Sequence, residues 1–258
     1  MLHFNMMSSY TKGAPNYLMR KTKMKLVIIT GGSKGLGEAL VKEYASEKEW
    51  HVVELSRSGS SKHSIQCDFS DVKSIERLSQ SLFTELIRDE WDEVIYINNA
   101  GDLKPISLIA GLDVSQIERS IAINQVSPFI LLSAFMSGFR AYEGRKTIVN
   151  ISSGAALKGY AGWSLYCASK AAVDNFINAA AVEEVFQDFP FIAVNYEPGV
   201  IDTSMQAEIR RSDVRNFPAK ARFIELKESG NLRTAESVAT DLVQKIKSGM
   251  VNQTRYSV

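Results

Sequence analysis

The chain has 258 residues, 45% hydrophobic and 23% charged, a mixture that excludes a collagen-like or disordered polymer and leaves one compact domain as the default. Thirty Lys plus Arg against 29 Asp plus Glu leave a formal charge of +1, too even for a protein whose affinity rests on phosphate backbones, so nucleic acid is not an expected partner. Only Cys67 and Cys167 are present, which excludes a disulfide framework or a cysteine-rich metal centre; a reducing cytoplasm is expected, and no metal.

Residues 1–23 differ from the rest: Lys12, Arg20, Lys21 and Lys23 are basic, and no acid appears before Glu38. They read as an upstream start or expression scar, a mobile extension, or an organelle-targeting segment, and the fold is expected over 24–258. The longest apolar runs, such as Leu26 to Ile29 and Phe129 to Leu132, are far shorter than the roughly 20 residues that cross a bilayer, so no membrane is expected.

Leu26, Val27, Ile28 and Ile29 form a β-rich run ending at Gly31-Gly32, and Leu36 to Lys48 then shows helical spacing. His51 to Leu55, Ser64 to Cys67, Val94 to Asn98, Thr147 to Ser152 and Phe191 to Tyr196 read as further strands, separated by helical stretches near 71–88, 115–140 and 164–187. This alternation predicts an α/β fold, a Rossmann-like, doubly wound parallel sheet with helices on both faces. From Ser204 to about Arg233 the alternation breaks: the stretch is helical in composition, holds Arg210, Arg211 and Arg215, and has Pro218 at its middle. It reads as an insertion after a strand, placed to form a lid over the crevice at the carboxyl ends of the strands.

Between the first strand and first helix lies Thr30-Gly31-Gly32-Ser33-Lys34-Gly35-Leu36-Gly37. Gly31, Gly35 and Gly37 let the backbone turn sharply and approach a pyrophosphate, which the helix N-terminus then faces. The spacing is neither a Walker A loop nor G-x-G-x-x-G. Where an NAD site places an acid after the second strand, this chain has Ser56-Arg57. A guanidinium there can fork onto a 2′-phosphate, with Lys34 adding a second charge, so NADP(H) is the expected cofactor. Glu54, two residues earlier, is the acid if the strand ends sooner.

Tyr166 and Lys170 are four apart in a helical stretch and share a face, where an ammonium is expected to lower the phenol pKa. Tyr17/Lys21, Tyr44/Lys48 and Tyr142/Lys146 repeat that spacing, but only Tyr166 has a serine thirteen positions upstream, Ser153, at the end of a strand run. Asn124 by itself is a mid-helix polar residue.

The glycine turn, Asn98-Asn99-Ala100-Gly101, the Asn124 helix, Ile151-Ser152-Ser153, Tyr166-Cys167-Ala168-Ser169-Lys170 and Pro198-Gly199 stand in the order and spacing of the short-chain dehydrogenase/reductase family, which the chain resembles from about Lys25 to Val258. Within it, Tyr196-Glu197-Pro198-Gly199 and Asp202-Thr203-Ser204-Met205-Gln206 look most similar to sepiapterin reductases and bacterial benzil reductases. Gly159-Tyr160-Ala161-Gly162-Trp163 resembles the latter in particular. The resemblance implies carbonyl reduction with Tyr166 as proton donor, Lys170 at the tyrosine and the nicotinamide ribose, Ser153 at the substrate oxygen, and Asn124 holding a proton-feeding water at a backbone distortion.

It further implies cofactor contacts from Ser33, Leu36, Asp68 at the adenine, Asn98 and Gly101 near the adenosine ribose, and Thr203 with Val200 or Ile201 at the carboxamide, beside Pro198 and Gly199. Asp68 could instead cap a helix, and Pro198-Gly199 could be only a turn. Cys167, with no His nearby in sequence, reads as a packed small residue.

Leu157, Tyr160 and Trp163, with Met205 from the lid, are expected to wall a site for a bulky or planar small-molecule carbonyl compound, although each ring could equally be core. An NADPH-dependent reductase of ketones or diketones is the first expectation. The alternatives are pterin reduction as in sepiapterin reductases, which the tail from Asn252 to Val258 disfavours by offering no carboxylate, a non-catalytic NADPH sensor, and a sugar-nucleotide epimerase. The family's habit of pairing helices between subunits implies a homodimer or homotetramer.

Overall fold

A computed structural model describes residues 24–258, so the expectation for residues 1–23 lies outside the described residues. The sheet is built from β1 (Met24–Thr30), β2 (Trp50–Ser56), β3 (Ser64–Gln66), β4 (Trp91–Asn98), β5 (Arg145–Ile151), β6 (Ile192–Glu197) and β7 (Arg255–Ser257). Its order is β3-β2-β1-β4-β5-β6-β7, with every neighbouring pair parallel.

Period-two alternation explains the layering. Leu26 and Ile28 of β1, Val94 and Tyr96 of β4 and Ile148 of β5 face one core, whereas Val27, Ile29, Ile95, Ile97, Val149 and Ile151 face the other. Both faces are apolar because both are covered. On the first side lie α2 (Val72–Leu86), α3 (Val114–Ile121), α4 (Ser127–Gly138) and α5 (Ser164–Glu183); on the second lie α1 (Gly35–Ala45) and α8 (Ala235–Ser248).

Between α3 and α4 the helix widens into a π-turn over Ala122–Val126, so Val114–Gly138 is one rod. By length and hydropathy that rod could span a bilayer, which the short apolar runs did not suggest. In the fold, its Leu131, Leu132 and Phe135 are fully buried against the sheet.

The 204–233 stretch folds as α6 (Ser204–Arg211) and α7 (Lys220–Glu228), with Pro218 in the connection. A third apolar cluster, including Trp163, Cys167, Ile209, Phe217 and Phe223, fixes these helices beside the carboxyl edge of the sheet. Strand order reverses between β1 and β4, and there the diverging connections open a crevice.

Candidate active site

The crevice holds about 1470 Å³ and runs from the glycine turn to the α6–α7 pair. Along it lie Gly31, Ser33, Lys34, Gly35, Leu36, Gly37, Ser56, Arg57, Asp68, Gly101, Ser153, Tyr166, Lys170, Pro198, Gly199, Val200, Ile201 and Thr203. Leu157, Tyr160, Trp163 and Met205 line its far end. Of the residues read from the sequence as site residues, Asn98 and Asn124 alone do not line it.

The glycines are required by sterics. Gly31 and Gly35 have φ of +70° and +58°, and a Cβ on Gly37 would lie 2.2 Å from the Gly31 carbonyl oxygen. Lys34, the N-cap of α1, makes no side-chain cap bond, so the first-turn amides face the crevice as an anion cradle. Those glycines and bare amides fit a dinucleotide pyrophosphate.

Arg57 and Lys34 are exposed at the crevice mouth, and the Ser58 hydroxyl donates to Ser33 Oγ at 3.1 Å between them. Glu54 does not reach that end. It is 1% exposed and accepts the Gly32 N–H at 3.0 Å from beneath the turn, which removes it as the ribose acid. Ser56 is also nearly buried, its hydroxyl accepting the Gly59 N–H at 3.0 Å.

Asp68 is not the helix cap. Asp71 caps α2 by accepting the Ser74 N–H at 3.0 Å, whereas Asp68 accepts the Ser70 N–H and hydroxyl at 2.8 and 2.7 Å, bonds that hold its carboxyl below the ordinary range.

Asn98 must be corrected. It ends β4, is 3% exposed, and donates to Asn150 Oδ1 at 2.9 Å inside the sheet. Asn99 takes the crevice position, its Nδ2 donating to the Thr30 and Gly31 carbonyls at 2.9 and 3.1 Å. Asn99 is the first residue beyond the strand, where the backbone turns toward the glycine turn.

Tyr166, Lys170 and Asp174 lie at successive four-residue steps along α5, on one face of it. Lys170 Nζ donates to the Ile151 carbonyl at 2.7 Å and stands 5.9 Å from the centre of the Tyr166 ring. Ser153 caps the short turn after β5, accepting the Ala155 N–H at 3.1 Å, and its hydroxyl favours the ionised form of the Tyr166 phenol.

The expected lowering of the phenol pKa is not what the fold produces. Burial pushes Tyr166 up to about 12, with the Ser153 hydroxyl opposing, and burial pushes Lys170 down to about 8, with Asp174 opposing. Desolvation decides both shifts, since each group is charged in the form that burial disfavours. At neutral pH the phenol therefore holds its proton and the amine its charge.

Asn124 sits in the π-turn, where Oδ1 accepts the Asp102 N–H at 2.8 Å and Nδ2 donates to the Asp102 carbonyl at 2.9 Å. Its Oδ1 and Lys170 Nζ would lie 3.6 and 3.9 Å from a Cβ placed on Gly101. The other Tyr-x-x-x-Lys pairs within the described residues are scaffold: Tyr44 is 1% exposed, Tyr142 donates to the Trp91 carbonyl, and Lys146 donates to the Phe139 carbonyl at 3.2 Å. Tyr17/Lys21 lies outside the described residues.

At the far end Leu157 is 67% exposed, whereas Trp163 is 5% exposed and stacks on Phe217 with centroids 4.4 Å apart. The indole thus fastens the α6–α7 pair more than it faces a ligand. Lys104 pairs with Glu208 at 3.0 Å, joining the 102–107 loop to α6. Cys167 is 8% exposed, and burial pushes its thiol up, as a packed residue requires. Sequence reasoning gave no role to Asn99, Ser58, Glu197 or Arg255; Asn99 and Glu197 lay inside motifs it quoted, while Arg255 carried no signal.

A family model described as short chain dehydrogenase matches residues 25–214. The benzil reductase ((S)-benzoin forming) of Bacillus subtilis (strain 168) is 36% identical over 242 residues, covering 91% of this chain and 98% of that protein. The sepiapterin reductase of Rattus norvegicus is 30% identical, covering 85% and 90%. Among solved structures, KRED1-Pglu enzyme superposes with a TM-score of 0.76 at 30% identity, covering 91% of this chain and all of that one.

Proposed function

The chain belongs to the short-chain dehydrogenase family, and on that footing we propose that it is an NADPH-dependent carbonyl reductase acting on ketones or diketones. One observation carries the proposal: Ser153, Tyr166 and Lys170, drawn from β5's end and one face of α5, meet in the same crevice as the glycine turn.

The amides at the start of α1 and Gly31, Gly35 and Gly37 hold the pyrophosphate. Arg57, Lys34 and the Ser33–Ser58 hydroxyl pair stand where a 2′-phosphate needs donors, and no free carboxylate competes there because Glu54 is turned to Gly32. Lys170 reaches the nicotinamide ribose, and Thr203 with Val200 and Ile201 borders the carboxamide end. The bound cofactor supplies hydride.

Ser153 donates to the substrate's carbonyl oxygen and Tyr166 gives up its phenolic proton to that oxygen as the carbon is reduced. A phenol whose pKa stands near 12 is fully protonated at neutral pH, which is the state reduction consumes. The Lys170 ammonium, fixed at Ile151, then stabilises the phenolate left behind. Asn124, locked to Asp102 across the π-turn, holds the segment that faces Lys170 and is placed to support a water returning the proton.

The test is NADPH oxidation across a panel of ketones and diketones by the parent and by Tyr166→Phe. The reading expects turnover by the parent and a loss of at least about a hundredfold in kcat with NADPH affinity kept in the variant. No turnover of any carbonyl while NADPH still binds would favour a cofactor sensor instead.

A further inference from the structure

β7 lays Arg255 beside β6, where its guanidinium is shared three ways. Nη2 donates to the Ser153 carbonyl at 3.1 Å and to Glu197 Oε2 at 2.8 Å, while Nη1 pairs with Asp174. One nitrogen therefore ties the backbone of Ser153 to a carboxylate at the end of β6.

Glu197 lines the crevice with its side chain 27% exposed, and both of its hydrogen bonds to Arg255 use Oε2. Oε1 makes no such bond among the described residues. It is also the atom that a Cβ on Gly154 would meet, at 3.0 Å, so an open carboxylate oxygen stands beside the residue that follows Ser153. Arg255 holds the carboxylate in place through one oxygen and leaves the other as an acceptor. A carbonyl compound without a donor leaves that oxygen to water. One with an O–H or N–H beside its carbonyl can give it a charge-assisted hydrogen bond, and an anionic substituent there would be repelled.

We infer that Glu197 sets substrate specificity: with the carbonyl at Ser153 and Tyr166, Oε1 accepts a hydrogen bond from a hydroxyl or amide N–H close to that carbonyl. The inference rests on the ketone-reductase reading and narrows it to neutral ketones that carry a donor, such as α-hydroxy ketones. Through Arg255, β7 positions a carboxylate that belongs to β6.

The test compares kcat/KM for an α-hydroxy ketone and the same ketone without the hydroxyl, using NADPH with the parent, Glu197→Gln and Glu197→Ala. The intrinsic reactivity of the two ketones is the same in every protein, and their ratio is unaffected by the folded fraction. The expected result is a tenfold to hundredfold fall in the hydroxy-to-plain ratio in Glu197→Ala, expressed chiefly in KM, with part retained in Glu197→Gln, whose amide oxygen still accepts; roughly that range follows from losing a hydrogen bond to a charged group. An unchanged ratio in Glu197→Ala overturns the inference while the reductase reading stands. Turnover of neither ketone by the parent overturns both.

Discussion

Ser58 and Ser33 are hydrogen-bonded at 3.1 Å, which closes the connection after β2 onto the glycine turn and leaves Arg57 and Lys34 exposed on either side. Arg57→Ala is expected to weaken NADPH binding by about tenfold to a hundredfold, the loss of a charged hydrogen-bonding partner, while NADH binding changes little. Titration of each cofactor by fluorescence checks it, and equal weakening of both would place the guanidinium away from the 2′-phosphate.

Burial lowers Lys170 to about 8 and raises Tyr166 to about 12, so the amine is the first of the pair to lose its proton as pH rises. The reduction kcat is expected to be level below neutrality and to fall through a midpoint near pH 8, as the ammonium that stabilises the phenolate disappears. A pH profile at saturating NADPH checks this. Activity unchanged to pH 10 would show that Lys170 stays charged throughout.

A Cβ at residue 37 would come within 2.2 Å of the Gly31 carbonyl, a backbone atom that cannot rotate away. Gly37→Ala is therefore expected to cost about 1–3 kcal/mol of stability and to weaken NADPH binding at the same time, because the turn that must shift is the one that cradles phosphate. Denaturant melts with and without NADPH separate the two effects.

Glu184 is fully buried and takes Arg140 Nη1 at 2.8 Å and the Phe191 N–H at 2.8 Å. Arg140→Met should destabilise the fold by roughly 2–4 kcal/mol, below the cost of a fully enclosed pair because the Arg140 side chain is 38% exposed. Urea unfolding measures it. The double variant Arg140→Met/Glu184→Gln should recover part of the loss, since Glu184 then no longer buries a carboxylate without its guanidinium, and only part because the Lys146 ammonium loses that carboxylate as well.

What the sequence made legible were features with strong local signals. Six strands were visible because their apolar runs alternate toward two covered faces, and the α6–α7 insertion was visible because Pro218 and the arginines interrupt that pattern. β7 was not: Arg255–Ser257 is three residues, polar, and held by its pairing with Asn195, Tyr196 and Glu197. Asn98 was read as a crevice residue although its side chain turns into the sheet, since adjacent identical residues give no hint of which one ends up facing inward. The electrostatics of Tyr166 and Lys170 were beyond local reasoning too, because their burial is contributed by distant segments of the chain.

The guanidinium of Arg255 meets its partners across long stretches of chain, 102 positions from Ser153 and 81 from Asp174. Asp174 and Glu197 thus share one cation supplied by the edge strand, so any change that frays β7 releases both carboxylates together.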